Sequence, residues 1–423
     1  MKKMILSMAA VTMALACAAQ SYSNGYYIVN EGQYGNEPGL LIFYDKESGT
    51  MEGDVYATAS GNTLGTTAQF AAVGDGKLFV CSKQHYGNTG GRLVIADAKS
   101  LRTLASYKEI DGEADTRGVC VAPALERFYV GTTAGVYAYD LASLQQLGVV
   151  EGTAIEGAGT YSPGSGDMVV AGNLLYVATP EGVQVIDMTQ NRLVSTVELA
   201  NTTSVFKVNG QVYAAINSST GWGTIPGEND TEQFVPISNG VAGTPINVPA
   251  ASYNPWFTPK PCAPAALADG KSIVYSCGEN TSNLIKYDFS TGTYTQNFIT
   301  FDSPQKMYGH VVSVDAKTGD VLACTYQSYA TKNYWLNIYD ATDGQLKKSV
   351  KFPTTHYWFP SMILMAPDDT ATGIDGVNKA EREVIGVEYV NLAGCRSAKP
   401  FDGVNVVLTR YSDGTSSSAK MIF

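Results

Sequence analysis

Short apolar runs alternate with polar positions along the whole chain, and each run ends on an acidic or amide residue just before a turn. The copies include Leu41-Ile42-Phe43-Tyr44-Asp45, Leu93-Val94-Ile95-Ala96-Asp97, Val136-Tyr137-Ala138-Tyr139-Asp140 and Val183-Gln184-Val185-Ile186-Asp187. They continue with the degenerate Phe234-Val235-Pro236-Ile237-Ser238-Asn239, then Leu284-Ile285-Lys286-Tyr287-Asp288 and Leu336-Asn337-Ile338-Tyr339-Asp340. The closing positions 45, 97, 140, 187, 239, 288 and 340 lie 43 to 52 residues apart. A period of about 40–50 residues holding several period-two strands predicts an all-β propeller with one blade per copy.

The second copy gives the grammar: strands a to d at Phe70–Val73, Lys77–Cys81, Arg92–Asp97 and Leu101–Tyr107. Asp-Gly, Asn-Gly and Thr-Gly pairs mark the tight turns. The first copy supplies only three strands, Tyr26–Asn30, Leu40–Asp45 and Met51–Tyr56, while Pro360–Met365 stands alone after the seventh. Joining the two ends completes seven blades over residues 25–366 and removes an exposed sheet edge. Residues 367–383 read as a polar linker. Residues 384–423 read as a small C-terminal β unit with strands at Val387–Leu392, Val404–Tyr411 and Lys420–Phe423. The repeated aspartates are expected to cap their own turns rather than to catalyse.

Composition narrows the function. The net charge of −11 without a basic stripe excludes nucleic acid as a partner. Lys2-Lys3 followed by an apolar run from Met4 to Ala16 predicts a signal peptide over residues 1–18 and a place outside the cytoplasm, secreted or at the cell surface. Cys17 is either acylated there or removed at a small-x-small cleavage site. Among the later cysteines, Cys262 and Cys277 sit symmetrically about Asp269-Gly270, either bridged across a hairpin or buried as thiols.

The b–c and d–a loops, which emerge on one propeller face, hold every tryptophan and histidine. Tyr34, His85, Tyr86, Trp222, Trp256, Phe257, His310, Tyr326, Trp335, His356, Tyr357 and Trp358 are the candidate ligand contacts, with Tyr308, Tyr329 and Tyr334 in the same set. This one-sided distribution predicts a rigid aromatic rim for a small ring-bearing ligand, and Gly221-Trp222-Gly223 is the most exposed-looking member. Three scattered histidines lack metal-ligand spacing, so no metal, cofactor or catalytic residue is expected. Two alternatives stand beside this non-enzymatic reading: a lyase or hydrolase using Glu31 and His310, and a surface scaffold that binds another protein.

Tyr27-Ile28-Val29-Asn30-Glu31-Gly32, the Tyr-Asp strand ends and Tyr357-Trp358-Phe359-Pro360-Ser361-Met362 together resemble a family of exported seven-bladed propellers of the Bacteroidetes. Leu175-Tyr176-Val177-Ala178 followed by Val183-Gln184-Val185-Ile186-Asp187 is similar to the YVTN repeat. The resemblance implies surface capture of a corrinoid such as vitamin B12 above an outer-membrane transporter; a glycan suits the same aromatic side chains. The tail, from Tyr389-Val390-Asn391-Leu392 to Lys420-Met421-Ile422-Phe423, is similar to type IX secretion sorting domains.

Overall fold

The computed structural model describes residues 21–112, 114–157, 159, 164–218, 231–252, 260–278, 280–353, 358–368, 384–391, 394–411 and 416–422. The export segment lies outside these residues. So do Asp413-Gly414, where the sequence pattern predicts a hairpin turn, and most of the linker.

Seven antiparallel sheets follow one another along residues 25–365. Blade 1 joins Pro360–Met365 to Gly25–Asn30, Leu40–Asp45 and Met51–Glu52. Blade 2 is Thr66–Gly74, Lys77–Gln84, Leu93–Asp97 and Thr103–Tyr107, and blade 3 is Thr116–Ala122, Arg127–Thr132, Gly135–Asp140 and Gln146–Val149. Blade 4 begins at Met168–Ala171, blade 5 at Thr202–Val208, blade 6 at Ala265–Ala266 and blade 7 at Val312–Val314. The first strand of each blade touches the first strand of the next, round a closed circuit of seven. These strands therefore surround an axis, and strands b, c and d lie progressively outward. The fold is a seven-bladed β-propeller.

The ring closes as the repeat count predicts. Pro360–Met365 pairs with Gly25–Asn30 from Tyr26–Met365 to Asn30–Pro360, and Asn24 N–H donates to Pro367 O at 2.9 Å. Seven apolar clusters fill the seams, one between each pair of neighbouring blades. In the blade 2–3 seam, for example, Phe79 meets Phe128 at 4.8 Å between ring centroids, and Phe128 stacks on Tyr139 at 4.7 Å. Each fully buried side chain of this size contributes about 1.5–3 kcal/mol relative to exposure.

The strand-closing aspartates do cap their turns. Asp45 Oδ1 accepts from Ser48 N–H at 2.7 Å, Asp140 from Ser143 at 2.7 Å and Asp340 from Thr342 at 2.8 Å. Those backbone donors help hold the Asp45 and Asp140 carboxyls below the usual carboxylate range.

Two expectations need correction. The outer strand of blade 1 is only Met51–Glu52, and the chain then turns into a short helix, Val55–Ser60. Asp54 caps it by accepting from Ala57 N–H at 3.3 Å, and Val55 and Tyr56 sink into the blade 1–2 seam. Consecutive apolar residues after Gly53-Asp54 fit that helical turn and not a period-two strand. The Cys262–Cys277 bridge is absent, and both are free thiols. Although the Ala265–Val274 and Ala266–Ile273 register points one toward the other, pairing stops at Ala265. Cys262 instead gives its thiol to Thr203 O at 3.2 Å and to Asp167 Oδ2 at 3.6 Å. Alkylation of the denatured, unreduced protein is expected to label both cysteines; protection of the pair would contradict this packing.

Residues 384–422 form a separate antiparallel sheet of Arg396–Ser397, Val384–Asn391, Val404–Tyr411 and Ser416–Ile422, in that order. The last strand starts earlier than its apolar pattern predicts, and a short edge strand is added.

Candidate ligand site at the axial mouth

Innermost strands begin, and b strands end, on the b–c/d–a face. The first strand of four blades carries the same irregularity at that end. Pairing slips by one residue at Gln69 in blade 2, Arg117 in blade 3, Thr203 in blade 5 and Ser361 in blade 1. In blade 4, Ala178 accepts from Gly166 N–H and donates to Asp167 O, which places one more extra residue there. A bulge of this kind re-aims a side chain that regular alternation would place elsewhere. The result is a belt of buried polar groups round the mouth of the axis.

Its charged members fall on two sides. On the side of blades 1 to 3, Asp115 and Arg117 are fully buried and paired at 3.0 Å, and Arg92 reaches Asp115 at 3.4 Å. Glu31, 6% exposed, accepts from Gln69 Nε2 at 2.6 Å and from the Tyr308 hydroxyl at 3.4 Å. Lys83 is also buried here, and burial first, then the Arg117 and Lys260 cations, push its amine down to about 7 against the pull of Glu31 and Asp115. Toward blades 4 to 7, burial lifts the Asp167 carboxyl up to about 7 although Cys262 N–H donates to it at 3.1 Å. His310 is driven down to about 4 by burial. Its Nδ1 accepts from Ser276 N–H at 3.2 Å, so the neutral ring carries its proton on Nε2.

Above this belt the loop Glu31–Gly39 organises the rim. Gly32 starts it at φ 73°, where a Cβ would lie 2.1 Å from Pro38 O, so a side chain cannot be accommodated. Tyr34 accepts from Gln84 Nε2 at 2.9 Å, Tyr86 donates to Asn36 O at 3.1 Å, and Trp358 Nε1 donates to Glu37. A cleft of about 450 Å³ opens beside it, lined by Gln84, His85, Tyr86 and Arg92 among others. On the other flank Tyr308 stacks on Phe359 at 3.9 Å, with the exposed Tyr329 edge-on to Phe359 at 4.8 Å. Lys260 lies 3.6 Å over the Tyr308 ring and Lys332 lies 3.7 Å over Trp358.

Five of the sequence candidates therefore share this face: Tyr34, His85, Tyr86, His310 and Trp358. Trp222, Trp256, Phe257, His356 and Tyr357 lie outside the described residues. Two need correction. Tyr326 is fully buried in the blade 7–1 seam, its hydroxyl donating to Asn280 Oδ1 at 2.5 Å, because Tyr308, Tyr329 and Phe359 cover it. Trp335 is not in a loop: it belongs to the third strand of blade 7, Tyr334–Tyr339, pairing with Thr325 and Lys351, outward of the mouth. Glu31 and His310 do line one small cavity, of about 10 Å³, room for roughly one water. Among the described residues no group of three histidine, cysteine or acidic side chains could hold a metal.

Residues 24–366 match the family described as "Domain of unknown function (DUF5074)", a span that coincides with the closed ring. The chain belongs to the DUF5074 family. No curated protein matches this DUF5074 chain in sequence. Among solved structures it is similar to a protein from Lactobacillus plantarum, at 12% identity and a TM-score of 0.53, over 80% of this chain and 98% of that one. It also matches dihydro-heme d1 dehydrogenase NirN in complex with DHE at 14% identity and a TM-score of 0.47, over 80% and 74% of the two chains. At such identities the likeness concerns the fold alone. Among the described residues no helix of the DUF5074 chain is long and apolar enough to cross a membrane.

Proposed function

We propose that this DUF5074 propeller is an exported, non-enzymatic binding protein that captures a small ring-bearing molecule on its b–c/d–a face. The observation that carries the reading is the aromatic cluster on this face, where Trp358 lies under Lys332 and the exposed Tyr329 stands edge-on beside the stacked Tyr308–Phe359 pair. Flat rings gain about 0.5–1.5 kcal/mol from such a partner beyond the area they bury, and positions on a closed ring of blades cost little to pre-organise. A corrinoid such as vitamin B12 is the first ligand to test, on the sequence resemblance; a glycan is the second. The leader-like residues 1–18 support a place outside the cytoplasm, and an outer-membrane transporter would be the partner that takes the ligand onward.

The enzyme alternative rests on Glu31 and His310 lining one cavity. His310 has its Nδ1 engaged and Glu31 accepts two hydrogen bonds, which suits a structural role for both better than proton transfer. Calorimetry with cyanocobalamin and a glycan panel tests the proposal. Binding is expected with one of them, weakened roughly tenfold or more by Trp358→Ala, in line with an aromatic contact worth 1–3 kcal/mol. No heat from any of them with folded protein would sink it, and turnover of a glycan would favour the enzyme.

A further inference from the structure

We propose that the cleft between the Glu31–Gly39 loop and the b–c loop of blade 2 seats a carboxylate-bearing sugar ring, with Arg92 as its charged contact. The proposal rests on the reading of this face as a ligand-binding face and narrows that reading to one chemical class.

The chain fixes Arg92 at the cleft through the two glycines before it. A Cβ on Gly90 would lie 2.2 Å from Leu64 O, and one on Gly91 would lie 2.6 Å from Tyr107 O, so neither position admits a side chain. Arg92 follows them, and its own carbonyl accepts from Ser82 N–H at 2.8 Å and from the Thr116 hydroxyl at 2.9 Å. With the backbone locked, the side chain is 7% exposed and lines the cleft of about 450 Å³. That volume lies within the range of about 300–1,000 Å³ usual for small-molecule sites.

The guanidinium is engaged on one side. Nη1 donates to Lys83 O and, at 3.4 Å, to Asp115 Oδ1, whose closer partner is Arg117 at 3.0 Å. Nε, buried, has no hydrogen-bond partner among the described residues, and buried N–H groups are rarely left so. Nε and Nη2 form one edge of the planar fork, the edge that takes both oxygens of a carboxylate side-on. A carboxylate arriving from the cleft would engage that edge, with Nε at its inner end. None of the other described lining residues, Gly35, Thr66, Gln84, His85, Tyr86 and Gly87, is acidic. Gln84 Nε2 is taken up by the Tyr34 hydroxyl at 2.9 Å, so Oε1 is the atom left to accept from a ligand hydroxyl. Tyr86, tied by its own hydroxyl to Asn36 O at 3.1 Å, supplies the ring of this wall. One guanidinium and one aromatic ring among hydrogen-bonding groups suit a sugar acid better than a flat apolar molecule.

Calorimetric titration of the full chain with sodium D-glucuronate and with its neutral amide, D-glucuronamide, at equal ionic strength tests the assignment. The two probes differ only at the carboxyl group. Glucuronate is expected to bind at least about tenfold more tightly, as a charge-assisted bidentate contact requires. Arg92→Lys keeps the positive charge but loses the fork, and is expected to remove most of that preference while leaving glucuronamide unchanged. Should that variant not fold, the wild-type ratio decides alone. Equal affinity for the two probes, or an undiminished preference in folded Arg92→Lys, would overturn the assignment. Binding of cyanocobalamin or a neutral glycan by a protein that ignores glucuronate would overturn it too, and leave the aromatic-face reading intact. No heat from any of them would overturn both.

Discussion

Arg117→Met is expected to lower the unfolding free energy by about 3–5 kcal/mol, the usual cost of removing one partner from a buried ion pair. Arg117 and Asp115 have no exposed surface, and after the substitution Asp115 keeps, among the described residues, Arg92 at the longer distance of 3.4 Å. The thioether fills much of the volume, so the loss comes from the stranded carboxylate and not from a cavity. Urea denaturation at pH 7 measures it. Adding Asp115→Asn is expected to recover part of the loss, because the charge left behind is then gone. A change under about 1 kcal/mol in the single variant would mean that the pair does not support the mouth.

Lys83→Met, a neighbouring substitution of similar shape change, is expected to act with the opposite sign. The folded protein holds the Lys83 amine down at about 7, whereas the unfolded chain titrates near 10.4. Between those values the unfolded state binds the extra proton, so wild-type stability rises as pH increases from 7 to 10. Below 7 the penalty is present in full. Replacing the amine with an apolar group removes it, with a gain on the order of 3 kcal/mol at pH 7 that fades toward pH 10. Denaturation of both proteins at pH 7 and pH 10 checks the sign. Equal stability at pH 7 would show that the amine finds water or a counter-ion in solution. The contrast is one of pairing: Arg117 has Asp115 at 3.0 Å, and among the described residues no carboxylate forms an ion pair with Lys83.

The ring was legible because its signal is additive. Six aspartates and one asparagine at a steady interval outvote any single ambiguous strand, and the lone Pro360–Met365 run forces the closure. The belt at the mouth was not legible in the same way. Lys83, Arg117 and Asp167 stand at strand ends, where a polar residue ordinarily means a loop. The bulges at Gln69 and Arg117 shift the alternation just there, so period-two reading assigns their side chains no face. A signal did exist: aligning the copies puts Gln69, Arg117, Thr203 and Ser361, all polar, at the bulge of an innermost strand.

Tyr326 and Trp335 show a second limit. Counting aromatic residues near loops locates them along the chain but not across the seam, and burial of Tyr326 depends on Phe359, which precedes the inner strand of the neighbouring blade. The aromatic residues that the structure does bring together, Tyr34, Tyr86 and Trp358, all belong to the Glu31–Gly39 loop or bond to a residue of it. Likewise the Cys262–Cys277 symmetry was read from a hairpin whose inner strand, flanked by Pro261 and Pro264, is too short to hold the two thiols together.

Because Pro360–Met365 supplies the innermost strand of blade 1, no complete disc exists until residue 365 has emerged from the ribosome or passed through an export channel. At about 5–20 residues per second, the nascent chain carries an unzipped flank at Gly25–Asn30 for roughly 20 to 70 seconds. A chaperone that shields one strand edge would be enough to protect the half-built disc.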